Sequence, residues 1–430
     1  MIMKRQISAH PRLRDAHRQG KRNRILNLLF RDRQASRFAL AQRLALNASM
    51  VGRYVEELMA DGLVLEEYAG TTRRGRSPVP LRLNPDHGCF LGLDFEALRA
   101  RAVLTDFAGG ILDQKEVPLK PGLGREGVID LLADLARSLA GKSGDRRMLA
   151  VGLAAPGPVD VENGVVMRYP LLPDFAQVPL REGFERRFGA PAFLEHNTRA
   201  LTFAEMLRGA GRGKRNVLCL TVRSGLAVGI VIDGRVYAGS GGLAGEAGYA
   251  VIPTDEGPRT LTELASETGI LERARRLLRT LRGTPVRKAL LKNGDALRFA
   301  DLEHAAEAGD DAIRRLLEET GVVAGMMLAN FANILSPETV VLVGDAVRAG
   351  APVREALERE FRRRLVPEIR ANLTLTDSRL AGFGAALGAA GLGFAKRFPE
   401  NGDGPVSSIQ TPLPAEARGA KAGRRQGHQE

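Results

Sequence analysis

The sequence predicts an α/β protein with a small, basic, helical head at its N-terminus and a larger body of two lobes. The 430 residues carry 63 Lys and Arg against 50 Asp and Glu, and 17 of the basic but only seven of the acidic residues fall within 1–85. Downstream, apolar strand patterns and amphipathic helix patterns follow the order β-β-α-β, which is repeated later and is typical of a two-lobed α/β body. We expect a head at 1–85, a body at 86–398 and a disordered tail at 399–430, where apolar periodicity is missing.

Composition and cysteine content exclude several classes of protein. With 44% hydrophobic and 26% charged residues, the chain is an ordinary globular one. Cys89 and Cys219 cannot by themselves form a disulfide framework or a Cys-rich metal site. The first 21 residues lack the apolar core of a signal peptide, and the uncharged run 320–337 reads as a buried helix rather than a membrane span. We therefore expect a reduced, cytoplasmic protein without a membrane partner.

The head is predicted to contain three short helices. The first begins at about Asn23, while Ser36 and Asn47 are suited to cap the N-termini of the second and third. Gly62, after Asp61, is suited to the left-handed position that ends the third helix. The residues predicted to face inward are Ile25, Leu28 and Leu29, then Leu40, Ala41 and Leu44, then Val51, Tyr54, Val55 and Leu58.

A predicted hairpin completes the head. Residues 63–65 and 81–83 are strand-like and flank the basic segment 71–78. Three helices followed by a hairpin is the layout of a winged helix-turn-helix, in which the third helix enters the major groove and the wing reaches phosphate or the minor groove. Arg53 is the long donor there that is able to read a guanine edge. The predicted DNA contacts are Arg37, Asn47, Ser49, Gly52, Arg53, Arg73, Arg74 and Arg76.

Two other interpretations of the head are a basic, solvated leader and a small helical module that binds protein. The concentration of positive charge favours double-stranded DNA as the partner, because each neutralised phosphate releases counterions.

The body is predicted to hold strands in both lobes. Those of the first lobe are 90–95, 100–106 and 149–155, with a helix at about 127–139 between the last two, and those of the second are 217–222 and 227–232. Residues 271–282 and 311–335 are predicted to be helical.

Ordered motifs then connect both parts to one family. In the head, Ser36-Arg37, Val51–Leu58 and Gly75-Arg76-Ser77-Pro78 resemble the DNA-binding half of ROK-family transcriptional repressors. From about Gly88 to Phe398 the body resembles the ROK sugar kinases, members of the actin-like ATPase superfamily. The body motifs are Val151–Asp160, Gly209–Gly213, Ile232–Gly239 and Gly242–Tyr249. The resemblance implies a winged helix-turn-helix joined to a two-lobed actin-like ATPase (ROK kinase-like) domain, and a homodimer or higher oligomer on a two-fold DNA site.

Departures from the kinase motifs predict that phosphotransfer is lost. Where the kinases carry Asp-x-Gly-Gly-Thr, the chain has Asp94-Phe95-Glu96-Ala97-Leu98, and the second phosphate loop reads Arg223–Gly229. Asp345 adds negative charge at a third nucleotide-site position. The aspartate that acts as the kinase base is matched by Asn197, and an amide cannot accept the hydroxyl proton at neutral pH. We expect no enzymatic activity, no catalytic residues and no cofactor.

The family zinc site is also predicted to be absent, and a polar effector site to remain. Tyr249 stands where the family has its first zinc ligand, a His, and residues 253–262 contain no Cys. The positions that match the kinases' sugar contacts are His196, Asn197, Glu246, Tyr249 and Glu263. They predict a sugar or sugar-phosphate effector, and the alternative is that they only pack a degenerate cleft.

The leading hypothesis is a DNA-binding transcriptional regulator, a repressor of carbohydrate-related genes, whose kinase-derived body senses a ligand. A bifunctional sugar kinase with a DNA-binding head and a ligand-independent DNA-binding regulator are the alternatives.

Overall fold

The structure is a computed structural model that describes residues 10–67, 79–120, 122–280, 297–347, 352–380, 382–400 and 409–410. The chain divides into two compact units. The first takes in residues within 1–95, 99–200 and 385–430, and the second takes in 96–98 and 201–384. The head therefore clusters with the first half of the body. The predicted domain boundaries at 85 and 398 stay predictions, because this division does not test them.

The described part of the head has the winged helix-turn-helix layout that the sequence predicts. Its strand β3 lies between β1 and β2 and is antiparallel to both, with Leu81 opposite Ala35 and Arg82 opposite Leu65. The elements are α1 (His10–Asp32), β1 (Gln34–Ser36), α2 (Arg37–Leu44), α3 (Ala48–Ala60), β2 (Val64–Glu66) and β3 (Pro80–Leu83).

Helix α1 is longer than predicted. It begins at His10, so the predicted start at Asn23 was wrong. Residues 10–22 have no apolar period, and part of this stretch instead forms ion pairs with acidic residues on and just after α3. Arg18 lies 2.7 Å from Glu57, and Arg22 pairs with Asp61.

Both predicted N-caps are confirmed. Ser36 Oγ accepts the Ala39 N–H at 3.2 Å, and Asn47 Oδ1 accepts the Met50 N–H at 2.8 Å. Gly62 ends the third helix with φ +70°, as its left-handed role requires. The predicted inward residues of all three helices are buried, except Ala41, which is half-buried.

The main sheet of the first unit has the strand order β11-β7-β4-β5-β6. Strands β4, β5 and β6 form an antiparallel meander, whereas β7 runs parallel to β4 and β11 parallel to β7. The bounds are β4 (Cys89–Phe95), β5 (Arg99–Asp106), β6 (Ile111–Pro118), β7 (Met148–Ala155) and β11 (Ala192–His196). The unit also contains α4 (Arg125–Ala140), β8 (Val159–Asp160), β9 (Val165–Arg168), β10 (Ala176–Val178) and α5 (Leu180–Phe188).

The second unit is built around strand β12, which pairs in parallel with β17 and antiparallel with β13. In the sheet, β18 lies next to β17 on one side and β14 lies next to β13 on the other. The strands are β12 (Val217–Val222), β13 (Leu226–Ile232), β14 (Arg235–Val236), β15 (Val251–Ile252), β16 (Arg259–Thr260), β17 (Thr339–Val343) and β18 (Thr374–Asp377). The helices are α6 (Asn197–Arg208, which begins in the first unit), α7 (Leu261–Ala265), α8 (Glu267–Thr280), α9 (Phe299–Glu307), α10 (Asp311–Leu335), α11 (Pro352–Arg364) and α12 (Pro367–Asn372).

The last helix, α13 (Gly384–Arg397), lies against the central strands of the first unit at very short range. A Cβ on Gly92 would stand 1.9 Å from the Ala386 carbonyl oxygen, and one on Gly152 would stand 1.9 Å from that of Ala389. Only glycine permits this approach, because backbone rather than a movable side chain fills the space.

Four short 3₁₀ helices occur in the described residues: Pro85–His87, Ser240–Gly242, Ala247–Tyr249 and Asp345–Val347. A two-residue strand, β19, is Ile409–Gln410. In the described ranges, no helix has the length and apolar character that crossing a membrane requires.

Candidate functional site

The exposed N-terminal face of α3 is open to a partner. Ala48, Ser49 and Arg53 are exposed, and an added Cβ on Gly52 would meet nothing within 4 Å. Small residues therefore surround one long cationic side chain. This arrangement lets a groove edge come close to the helix backbone.

The Arg53 side chain is 62% exposed and extends from this face. Its guanidinium carbon lies 5.1 Å from the centroid of the Tyr54 ring, and its Nε lies 4.0 Å from a Glu57 oxygen. An exposed ion pair at that distance stabilises by well under about 1 kcal/mol, so it leaves the guanidinium available to a base edge.

Asn47 and Arg37 are more strongly engaged within the protein. The Asn47 side-chain oxygen caps α3, and the residue is exposed. Arg37 pairs with Glu66 and lies 3.9 Å from the Met59 sulfur, so its positive charge is partly offset. The predicted wing contacts Arg73, Arg74 and Arg76 lie outside the described residues.

Sequence reasoning did not single out an exposed aromatic residue of the head. Phe38, in the first turn of α2, is 69% exposed. The signal was present in the sequence, because Phe38 falls outside the inward pattern of Leu40 and Leu44.

In the first unit, the predicted effector residues His196 and Asn197 stand at the junction of β11 and α6. A buried ion pair fixes this junction. Glu195 accepts hydrogen bonds from Arg199 Nε and from the His196 backbone N–H, each at 2.8 Å. Arg199 was also missed, although its i, i+4 spacing from Glu195 is a recognisable helix pairing.

His196 is neutral at physiological pH. Burial, and to a smaller extent the positive charge of Arg199, lower the pKa of His196 from 6.5 to about 3. A general base works best with a pKa near the working pH, so His196 is a poor substitute for the missing aspartate.

In the second unit, the predicted effector residues lie on two elements in contact. Glu246 directly precedes the 3₁₀ helix 247–249. Tyr249 is the last residue of that helix and is exposed. A Cβ on Gly248 would stand 2.2 Å from Thr262 Oγ1, which shows how closely this turn approaches α7.

Glu263 on α7 has a structural role that the sequence reasoning did not assign. Its carboxylate accepts the Thr260 backbone N–H at 2.7 Å and the Thr260 hydroxyl at 2.8 Å, while the Thr260 hydroxyl accepts the Glu263 N–H. This is a reciprocal capping box. These bonds from Thr260 also lower the pKa of Glu263.

The loop that matches the second phosphate loop is occupied by a carboxylate of the same unit. The Ser224 N–H donates to Glu96 Oε2 at 2.9 Å, and Arg223 Nη2 lies 3.3 Å from Glu96 Oε1. Glu96 therefore takes both a backbone donor and a cation of the kind that hold phosphate oxygens in nucleotide sites. Asp345, at the third position, is exposed.

In the described part of the chain, no group of three or more His, Cys, Asp or Glu side chains could hold a metal ion.

Comparison with known proteins gives relatives of two kinds. The chain is 27% identical over 372 residues to the xylose repressor of Caldicellulosiruptor bescii, which covers 85% of this chain and 92% of the repressor. A crystal structure of a ROK family transcriptional regulator, a homolog of the Escherichia coli MLC protein, superposes with a TM-score of 0.71 at 22% identity, over 91% of this chain and all of that one. A ROK family glucokinase from Streptomyces griseus, in complex with glucose and AMPPNP, gives 0.61 at 28% identity, over 71% and 99%.

Family models match both parts of the chain. A winged helix-turn-helix DNA-binding model matches residues 19–64, and the ROK family model matches residues 90–395, well over half of the chain. The chain therefore belongs to the ROK family and carries a winged helix-turn-helix DNA-binding domain ahead of its ROK domain.

Proposed function

We propose that this chain is a transcriptional repressor of carbohydrate-related genes that binds double-stranded DNA, responds to a sugar-like effector and has no kinase activity. The observation that carries the proposal is the open α3 face around Arg53, on a domain that matches winged helix-turn-helix DNA-binding proteins. The xylose repressor relative spans head and body alike, which supports a regulator rather than a kinase with an unrelated head.

Two independent features at the kinase positions support a regulator without phosphotransfer. An amide, Asn197, matches the base, and the neighbouring His196 has a pKa of about 3. The Glu96 carboxylate already accepts the hydrogen bond of the Ser224 N–H. A nucleotide phosphate would therefore have to displace a carboxylate that a buried ion pair with Arg223 holds in place.

For the effector, we propose contacts from the residues at the family's sugar-contact positions, which are His196, Asn197, Glu246, Tyr249 and Glu263. All of these can form hydrogen bonds, which carbohydrate recognition needs in number. Alanine variants of Asn197 and Glu246 should each weaken binding of D-xylose, the first sugar to test, in isothermal titration. Glu263 needs the conservative variant E263Q, which keeps an acceptor for the Thr260 N–H and so separates sugar binding from capping.

DNA binding is tested by selection from a random duplex library. We expect an enriched duplex to bind at least about 10³-fold more tightly than a scrambled one at physiological salt. Equal affinity for the two duplexes would remove sequence-specific regulation from the proposal.

Wing contacts are proposed for Arg73, Arg74 and Arg76, which lie outside the described residues. Replacing all three by Ala should flatten the plot of log affinity against log salt by about 0.9 per lost phosphate contact. An unchanged slope would take these arginines out of the phosphate contacts.

A homodimer is proposed because a two-fold DNA site needs two heads. Ile334 on α10 is 77% exposed, which is unusual for a large apolar side chain on a helix and suits a subunit contact. I334E should shift the sedimentation equilibrium towards monomer. The matched variant V251E, at another exposed apolar residue, should leave it unchanged.

The second candidate is a bifunctional kinase, which the glucokinase relative favours. An ATP-dependent phosphorylation assay with D-glucose and D-xylose distinguishes the two. Turnover that disappears in N197A would overturn the regulator-only proposal.

A further inference from the structure

Helix α13 touches the turn that follows the predicted effector residues. A Cβ on Gly388 would stand 1.8 Å from the carbonyl oxygen of Ala200, in the first turn of α6. His196 directly precedes that turn, and Asn197 begins it. Any movement of the turn towards α13 must therefore displace the helix, since the two backbones are already at closest approach.

A charged side chain of α13 also interacts electrostatically with the same region. Burial lowers the pKa of Lys396, and the nearby Glu195 carboxylate raises it, so the two groups interact. Glu195 is the carboxylate that holds Arg199 and the His196 backbone. The α13 helix is thus linked to the β11–α6 junction through both backbone packing and charge.

The C-terminal end of α13 is bound to the DNA-binding head. The Phe394 ring stacks on Phe30 of α1, with centroids 4.0 Å apart and an interplanar angle of 15°. Asn27 Nδ2 donates to the Phe398 carbonyl at 2.7 Å, and Asn23 Nδ2 donates to that of Pro399 at 2.8 Å. Carbonyls at and just beyond the helix end, which lack partners within a helix, are thus satisfied by α1.

The same end is also packed into an aromatic cluster. Phe394 lies 5.6 Å from Phe90 of β4 and 5.4 Å from Phe107, ring centroid to centroid, and Phe398 lies 5.6 Å from Phe107. Phe30 and Phe394 are almost completely buried. A helix held this tightly at both ends moves as a rigid body more readily than it bends.

We propose that α13 transmits the state of the β11–α6 junction, which carries His196 and Asn197, to α1 of the DNA-binding head. As regulation of the site, this rests on the proposed function. An effector that shifts the first turn of α6 moves α13 at Gly388, and the stacked Phe394 and the hydrogen bonds from Asn23 and Asn27 carry that movement to the head. The coupling is a difference in free energy between two arrangements of the same helix, biased by both sites.

Two glycine-to-alanine substitutions on α13 provide a matched test. G388A forces α13 and Ala200 apart, whereas G393A places a Cβ 3.4 Å from Ala150 Cβ and 3.5 Å from Phe90, which is ordinary contact. The readouts are the affinity for the selected duplex and the hydrogen–deuterium exchange of α1 peptides. We expect G388A to change affinity by at least about fivefold and to alter α1 exchange, and G393A to do neither.

Weakening the link at the head should reduce the effect. In an N27A background, which removes one of the three contacts between α1 and the end of α13, G388A should change affinity and α1 exchange by less than in the wild-type background. N372A is the control background, because Asn372 also donates from Nδ2 to a carbonyl four residues earlier, at 2.9 Å, but lies in the second unit. A folded G388A protein with wild-type affinity and α1 exchange would overturn the proposal, as would an effect of G388A that is equally large in the N27A, N372A and wild-type backgrounds.

Three further tests keep the outcomes separate. If G388A does not fold, K396M, which removes the charge beside Glu195, is measured in the same way and must alter α1 exchange. If the wild type shows no preference between the selected and the scrambled duplex, the proposed function fails, while α1 exchange in G388A and G393A still decides the role of α13. If D-xylose binds the wild type without changing α1 exchange, the transmission proposal is wrong although the effector proposal stands.

Discussion

The buried carboxylate of Glu96 leads to a prediction about stability. Glu96 and Arg223 have side chains only 3% and 13% exposed, and their closest atoms are 3.3 Å apart. The variant E96Q keeps an oxygen that can accept the Ser224 N–H at 2.9 Å but removes the charge that faces Arg223. The loss of stability in E96Q therefore reports the contribution of the ion pair and not that of the hydrogen bond.

The expected cost follows from burial. Removing one partner of a buried pair destabilises by about 3–5 kcal/mol, and the residual exposure of Arg223 favours about 3 kcal/mol. For a unit of this size that corresponds to a fall in Tm of about 6–12 °C. Urea unfolding followed by circular dichroism gives the free energy, and differential scanning calorimetry gives Tm.

A matched control separates burial from charge removal as such. Glu182 and Arg186 on α5 form an i, i+4 pair in which both side chains are 66% exposed, so E182Q should change the free energy of unfolding by less than about 0.5 kcal/mol. The reasoning fails if E96Q is as stable as E182Q. It also fails if E96Q alone gives a rise in Tm with ATP and Mg²⁺ while keeping wild-type stability, since the carboxylate would then have no structural role.

The remaining predictions concern the head and the β11–α6 junction. N47A should lower the free energy of unfolding of the head by about 1 kcal/mol, because it removes the α3 cap, whereas N47D should keep the cap and weaken DNA binding by repelling phosphate. Loss of DNA affinity in proportion to stability in both variants would leave Asn47 as a cap only. R53A should weaken binding to the selected duplex by about 1–3 kcal/mol and relax the sequence preference at one base pair. The control R18A, which removes another arginine that pairs with Glu57, should not affect that preference. A sequence preference that R53A leaves unchanged would exclude base reading by Arg53. Because the folded pKa of His196 is about 3 and the unfolded value about 6.5, the unfolded state binds the proton first as pH falls. His196 therefore contributes its full stability only at pH values well above 6.5, and this contribution should fall by about 1.6 kcal/mol between pH 6.5 and 5, a difference that H196Q should abolish in urea titrations.

Local signals made much of the head predictable. The inward positions Val51, Tyr54, Val55 and Leu58 follow the helical period, and the caps at Ser36 and Asn47 use side chains that suit that role. The start of α1 was not predictable in this way, since the residues before Asn23 show no apolar period, and Arg18 and Arg22 instead pair with acidic residues on and just after α3.

Edge position explains a strand that sequence patterns did not reveal. Strand β6 lies at the edge of the first unit's sheet and is exposed or half-buried along its length, so its residues show no alternation of apolar and polar side chains. The central strand β4, which is buried throughout, was predicted almost to the residue.

The candidate sites divide along the same line. The family positions of Glu96 and Glu263 were predictable from motifs, but sequence reasoning did not identify the contacts that give these residues their roles. For Glu263 the signal was local, since Thr260 and Glu263 have the spacing of a capping box. For Glu96 the partner Ser224 is 128 residues away, and only the folded chain brings the two together.

The most direct measurement of the central claim is fluorescence anisotropy of the selected duplex, with the protein titrated in the absence of ATP, with and without pentoses, hexoses and their phosphates. We predict tight binding to the selected duplex and, with at least one of these sugars, an affinity lowered by at least about fivefold. An affinity for this duplex that no sugar changes, or that equals the affinity for its scrambled counterpart, would contradict a sugar-responsive DNA-binding regulator.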